Sequence, residues 1–95
     1  MEREQLWVIA YDSPSNKRRR KLARLLEGHG VRVQWSVFEC RLRPGEIGAL
    51  QQRLARLIQP DADSVRLWPL PATSCARIVH LGRPVASTDW SDPVI

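Results

Sequence analysis

Residues 8–26 read VIAYDSPSNKRRRKLARLL, and two changes of character inside this stretch decide the fold. Up to Tyr11 the chain is apolar, β-branched or aromatic. Taken from Gln5, the run is too short for a helix core and is bounded by a turn signal, as a buried central strand would be. Asp12-Ser13-Pro14-Ser15-Asn16 then breaks it. Ser13 or Ser15 can cap a helix whose apolar stripe, Leu22, Leu25, Leu26 and His29, recurs at helical spacing, and Gly28 and Gly30 stop that helix. The opening is strand, loop, helix, with a lone carboxylate, Asp12, where strand gives way to loop.

The remaining elements follow from periodicity. Val31, Val33, Trp35 and Val37 alternate on one parity, and Phe38, Cys40 and Leu42 continue on the other. One residue of slip flips every later side chain to the opposite face, so a tight turn or bulge is expected near Trp35 to Val37. Pro44 opens a second helix with Ile47, Leu50, Leu54, Leu57 and Ile58 on one face, and Pro60 ends it. Ser64 to Trp68 reads as a further strand stopped by Pro69 and Pro71, and Ala76 to Leu81 as a final short strand. The order is β-α-β-β-α-β with an additional C-terminal strand, the α+β, ferredoxin-like pattern. At 95 residues the chain is read as a single domain, with a core over about 5–82 and a tail at 83–95.

In that pattern both helices lie on one face of an antiparallel sheet, and a second copy of the chain is the natural cover for the other. A homodimer also suits a chain with only one modest core. Trp35 and Trp68 fall in strands, and one of them is expected in the core. Fifteen Lys+Arg against ten Asp+Glu give a formal charge of +5, which favours a polyanionic partner over a neutral ligand. A polar N-terminus and the lack of a long apolar span point to a cytoplasmic protein without a membrane role. Cys40 and Cys75 have neither CxxC spacing nor a His cluster, so they read as buried thiols.

Chemistry concentrates at residues 12–24. Asp12, exposed by the loop yet held by a strand, suits a Mg²⁺ ligand, with Mn²⁺ as an alternative. An Asx-turn or capping role is the more ordinary one for an Asp at such a place. One carboxylate is a poor metal site, but a two-fold axis turns one Asp12 into two. Lys17, Arg18, Arg19, Arg20, Lys21 and Arg24 fill six of the eight positions 17–24 with no acid among them. Arg20 and Arg24 point away from the apolar stripe, flanked by Lys17 and Lys21, and are phosphate-contact candidates. Arg18 and Arg19 flank the apolar side, where they can fix Asp12 or a phosphate, or snorkel over the sheet edge. His29 and His80 stand apart and read as structural.

The strand-end YD before a basic helix, GVRVQWSVFEC at 30–40, DSVRLWPL at 63–70 and the C(x)4HLG ending at Cys75–Gly82 resemble the small CRISPR-associated Cas-two (Cas2) family. The resemblance spans residues 6–82, and VQWSVFE is its most specific block. It implies a homodimeric, metal-dependent endonuclease acting on RNA or DNA, with the strand-end aspartate, Asp12, as catalytic and metal-site residue. It also implies a complex with the Cas-one (Cas1) integrase that captures foreign DNA during spacer acquisition. The basic helix from Lys17 matches the family's arginine-containing first helix, and Ser36, Phe38 and Glu39 match its SVFE segment as site support. Many relatives carry a second acid soon after the first, where this chain has Ser13, Pro14, Ser15 and Asn16. Two functions are therefore kept in view: the nuclease, and a non-catalytic scaffold that bridges Cas1 dimers and holds double-stranded DNA. Single-stranded RNA is the other nucleic acid considered.

Overall fold

The structure, a computed structural model, describes residues 3–83. Its elements are β1 (Gln5–Asp12), α1 (Asn16–Glu27), β2 (Gly30–Gln34), β3 (Val37–Leu42), α2 (Pro44–Leu57), β4 (Ser64–Leu70) and a single turn, α3 (Ala72–Cys75). The strands form one antiparallel sheet in the order β2-β3-β1-β4. β1 is thus central, paired with β3 on one side and β4 on the other, and the arrangement is ferredoxin-like.

Strand parity sorts the side chains. Ile9 and Tyr11 of β1 and Phe38, Cys40 and Leu42 of β3 join Leu22, Ala23 and Leu26 of α1 and Ile47, Leu50 and Leu54 of α2 in one core. Trp7, Val65 and Leu67 pack at its margin. The alternate residues face away from the helices, and the register sets Val8 between Glu39 and Trp68, and Ala10 between Val37 and Arg66. Asp12, opposite Ser64, ends this second, open face.

Helix α1 has little intrinsic support. Its first turn holds no acid, and three cations, Lys17, Arg18 and Arg19, stand where the helix dipole favours anions. Ser15 is the N-cap, its hydroxyl accepting from the Arg18 backbone N–H at 3.1 Å. Burial of Leu22, Ala23 and Leu26 supplies most of the rest, at roughly 1.5–3 kcal/mol for each fully buried leucine. Helix α2 starts better, with Pro44 in its first turn and Glu46 accepting the Arg43 N–H at 2.8 Å.

The expected parity slip is a two-residue turn at 35–36, with the β2–β3 register shifting between Arg32 and Gln34. Three expectations need correction. β4 runs through Pro69, which pairs with Trp7; an edge strand tolerates the missing N–H because one side of it has no ladder to serve. Ala76–Leu81 is not a strand within the chain and contributes only a one-residue bridge at His80, because the helical bonds of residues 71–78 carry the backbone away from extended pairing. Neither Trp35 nor Trp68 is core: they are 78% and 42% exposed, the first thrown out by the turn and the second on the open face. The tail assigned to 83–95 lies, apart from Arg83, outside the described residues. Among the described residues no helix is long and apolar enough to cross a membrane.

Gly30 does more than end α1. A Cβ there would sit 2.2 Å from the Glu39 carbonyl oxygen and 2.6 Å from Cys40 Sγ, whereas one on Gly48, inside α2, would meet nothing within 4 Å. Gly30→Ala is expected to cost roughly 2 kcal/mol, about 8–16 °C in Tm for a domain of this size. Gly48→Ala should instead stabilise by up to ~1 kcal/mol by removing a flexible residue from a helix. Paired thermal melts check both signs.

Candidate functional site

The C-terminal end of β1 gathers most of the polar chemistry. Tyr11 is buried, its ring stacked on Phe38 with centroids 6.3 Å apart, and its N–H donates to the Ser36 carbonyl at 3.1 Å. The next residue, Asp12, is exposed and opposite Ser64. Its carboxylate has no hydrogen-bond or ion-pair partner among the described residues. The capping role belongs to Ser15, so the ordinary reading of Asp12 as a helix cap does not describe it.

What holds this strand end is Asp63, a residue the sequence reading passed over. Its carboxylate, with no side-chain exposure, accepts from Arg18 Nε at 2.6 Å and Nη2 at 3.1 Å, from Ser13 Oγ at 2.6 Å and from the Gln59 backbone N–H at 2.9 Å. The Arg18 guanidinium, more than the Ser13 and Gln59 donors, holds Asp63 well below the usual carboxylate range, against the opposing effect of burial. The loop after α2 thereby supplies the anion that the first turn of α1 lacks, and locks Ser13, the residue next to Asp12. Arg19 adds a bond from its guanidinium to the Ser13 carbonyl. No local signal separates Asp63 from its exposed neighbour Asp61, since the partners lie 45 and 50 positions away.

The basic helix therefore divides. Arg18 and Arg19 brace the loop instead of reaching Asp12, so Arg18 leaves the set available for phosphate. Lys17, Arg20, Lys21 and Arg24 are exposed and unpaired among the described residues. Arg20 and Arg24 line an open groove of about 420 Å³ with Tyr11, Arg32 and Trp35. Lys21 and Arg24 line a second, of about 610 Å³, with Arg53 and Arg56 of α2. Ser36 and Glu39 are half-buried, Glu39 on the open face. Phe38 has no exposed surface, so it acts on the site through the groups packed on its ring, Tyr11 and the Arg32 guanidinium. Cys40 is buried, with its thiol pushed up to about 12 chiefly by that burial, while Cys75 is half-buried; both are free. His29 bonds the Leu25 carbonyl at 3.0 Å.

Hard carboxylate oxygen with open space around it suits Mg²⁺, which binds through one or two carboxylates and keeps several waters. Among the described residues no group of three His, Cys, Asp or Glu lies together to hold a metal. Among the described residues the strand end therefore offers an ion one carboxylate, that of Asp12.

A four-stranded antiparallel sheet under two helices, ending in an exposed strand-end aspartate beside a basic helix, defines a ferredoxin-like α+β protein with nucleic-acid-compatible charge. The family model for CRISPR associated protein Cas2 matches residues 5–78, and the chain belongs to this family. It is 47% identical over 79 residues to a CRISPR-associated endoribonuclease Cas2 of Synechocystis sp., covering 83% of this chain and 86% of that protein. It is 40% identical over 80 residues to a CRISPR-associated endoribonuclease Cas2 of Thermus thermophilus, covering 84% and 85%. The crystal structure of Streptococcus pyogenes Cas2 at pH 6.5 superposes with a TM-score of 0.73 at 34% identity, covering 81% of this chain and 99% of that one. A chain of a partial Cas6-RT-Cas1–Cas2 complex superposes with a TM-score of 0.69 at 30% identity, covering 80% and 88%.

Because the folded-state value of Asp63 is depressed, the clamp's charge contribution is complete above the unfolded value, about pH 4, and is lost as pH falls toward the folded one. Wild type should melt above Asp63→Asn by a constant margin from pH 7 to 5, and the margin should shrink below about pH 4. Calorimetry across that range checks it; an undiminished margin at pH 2 assigns the clamp to packing.

Proposed function

We propose that the chain is a homodimeric, Mg²⁺-dependent endonuclease that hydrolyses phosphodiester bonds of RNA or DNA and works in the cytoplasm with the Cas1 integrase in CRISPR spacer acquisition. The observation that carries this is Asp12: an exposed carboxylate, unpaired among the described residues, on a strand end clamped from behind, in a chain of the Cas2 family. The open sheet face supports the dimer. Val8, Ala10, Val37 and Trp68 form an apolar band on it, and Asp12 ends the same face, so a two-fold axis near the strand end brings two carboxylates together.

In that dimer the two Asp12 carboxylates would hold the ion, which would supply positive charge against a phosphate and make a water more acidic. Arg20, Arg24, Lys17 and Lys21 meet the flanking phosphates as exposed charges without base readout. The names of the relatives as endoribonucleases, and the presence of one in a Cas1–Cas2 complex, support the reading.

A scaffold that binds duplex DNA without cutting has its own support. The stretch after Asp12 is Ser13, Pro14, Ser15 and Asn16, with no acid in it, and Ser13 and Ser15 are occupied in the clamp and the cap, which leaves Asp12 as the one strand-end carboxylate there. The free cations serve this role equally well.

Asp12→Asn separates the two. It preserves shape but removes the charge an ion needs, so Mg²⁺-dependent cleavage of end-labelled RNA or DNA should disappear while light scattering still reports a dimer. A wild type that cuts nothing with Mg²⁺ or Mn²⁺ leaves the scaffold. For the cations, replacing both Arg20 and Arg24 by Ala should reduce the salt slope of duplex binding by roughly 0.9 per lost contact.

A further inference from the structure

The groove between α1 and the β2–β3 turn holds a feature that phosphate binding does not use. Trp35 is 78% exposed at its mouth. The Arg32 guanidinium sits 5.8 Å from the Trp35 ring centroid and 5.3 Å from that of Phe38, so the indole is propped from one side against the buried core. The rest of the ring meets solvent. Arg20 and Arg24 line the same groove, unpaired among the described residues, and Glu27 on the last turn of α1 is the groove's one carboxylate.

We infer that this groove is a binding site for single-stranded nucleic acid, with an unpaired base stacked on Trp35 and the adjoining phosphates on Arg20, Arg24 and Arg32. Single-strand sites combine a cationic track with an exposed aromatic platform, because every base offers a π-face whatever its identity. A duplex presents phosphates to the cations but keeps its bases stacked on one another. The groove thus discriminates by strandedness and not by sequence. It lies on the helix side of the sheet, with Asn16 and Ala23 of α1 among its walls, away from the open face proposed for the dimer.

The inference rests on the nucleic-acid reading above, and the test separates their failures. Fluorescence anisotropy in EDTA, which prevents cleavage, compares wild type, Trp35→Ala and Trp35→Phe. The probes are a labelled single-stranded RNA, the matched DNA strand, the same strand with abasic sites, and a blunt duplex. Trp35→Ala should weaken both intact single strands roughly tenfold and leave the duplex nearly unchanged, with Trp35→Phe close to wild type. The abasic strand should bind wild type as weakly as the intact strand binds Trp35→Ala. Equal loss on duplex and single strand, no loss on either, or a change of oligomeric state in Trp35→Ala by light scattering overturns the stacking site while duplex binding stands. Wild type that binds no probe overturns both.

Discussion

Everything at the business end of this fold depends on one buried carboxylate. Asp63 gathers two bonds from Arg18, one from Ser13 and one from its own loop at Gln59. It ties the β1–α1 loop to the α2–β4 loop, two connections that the chain visits 45 to 50 residues apart. It also answers an electrostatic problem. A helix that begins with three cations and no acid is opposed by its own dipole, and a fixed anion beside Arg18 relieves it. The carboxylate is costly to bury alone, but four donors satisfy it and keep it ionised.

The clamp explains a division of labour that composition hides. Six cations cluster at 17–24, yet they do not form one patch. Arg18 and Arg19 face inward and hold the loop, while Lys17, Arg20, Lys21 and Arg24 stay in solvent with no ion-pair partner among the described residues. Unrelieved like charge destabilises an isolated helix, so burial of its Leu22/Leu26 face and the clamp together keep α1 folded while its outer face stays in solvent. Asp12 lies between these jobs: its neighbour Ser13 is locked, and its own carboxylate is unpaired among the described residues.

The two faces of the sheet divide the proposed roles in the same way. The helix side carries the core, and the cationic grooves lie on that layer. The open side carries an apolar band and the strand-end aspartate. Trp35 and Trp68 mark the two surfaces, one at the mouth of a groove, the other in the open band beside Arg66, whose guanidinium lies 5.6 Å from its ring.

Local pattern determined the strand–loop–helix opening, the helix over Pro44–Leu57, the slip at the β2–β3 turn and the identity of a lone strand-end carboxylate, because each is written in residues a few positions apart. The antiparallel, one-sided sheet followed from the order of those elements. Tertiary structure alone decided which cations are free, since the bond between Arg18 and Asp63 has no local trace. It also decided that Pro69 stays within β4, which required knowing that β4 is an edge, and that Ala76–Leu81 forms no ladder among the described residues. Trp35 shows the limit most clearly: alternation assigned it to a strand, and the pairing of β2 with β3 leaves it in the two-residue turn between them, exposed.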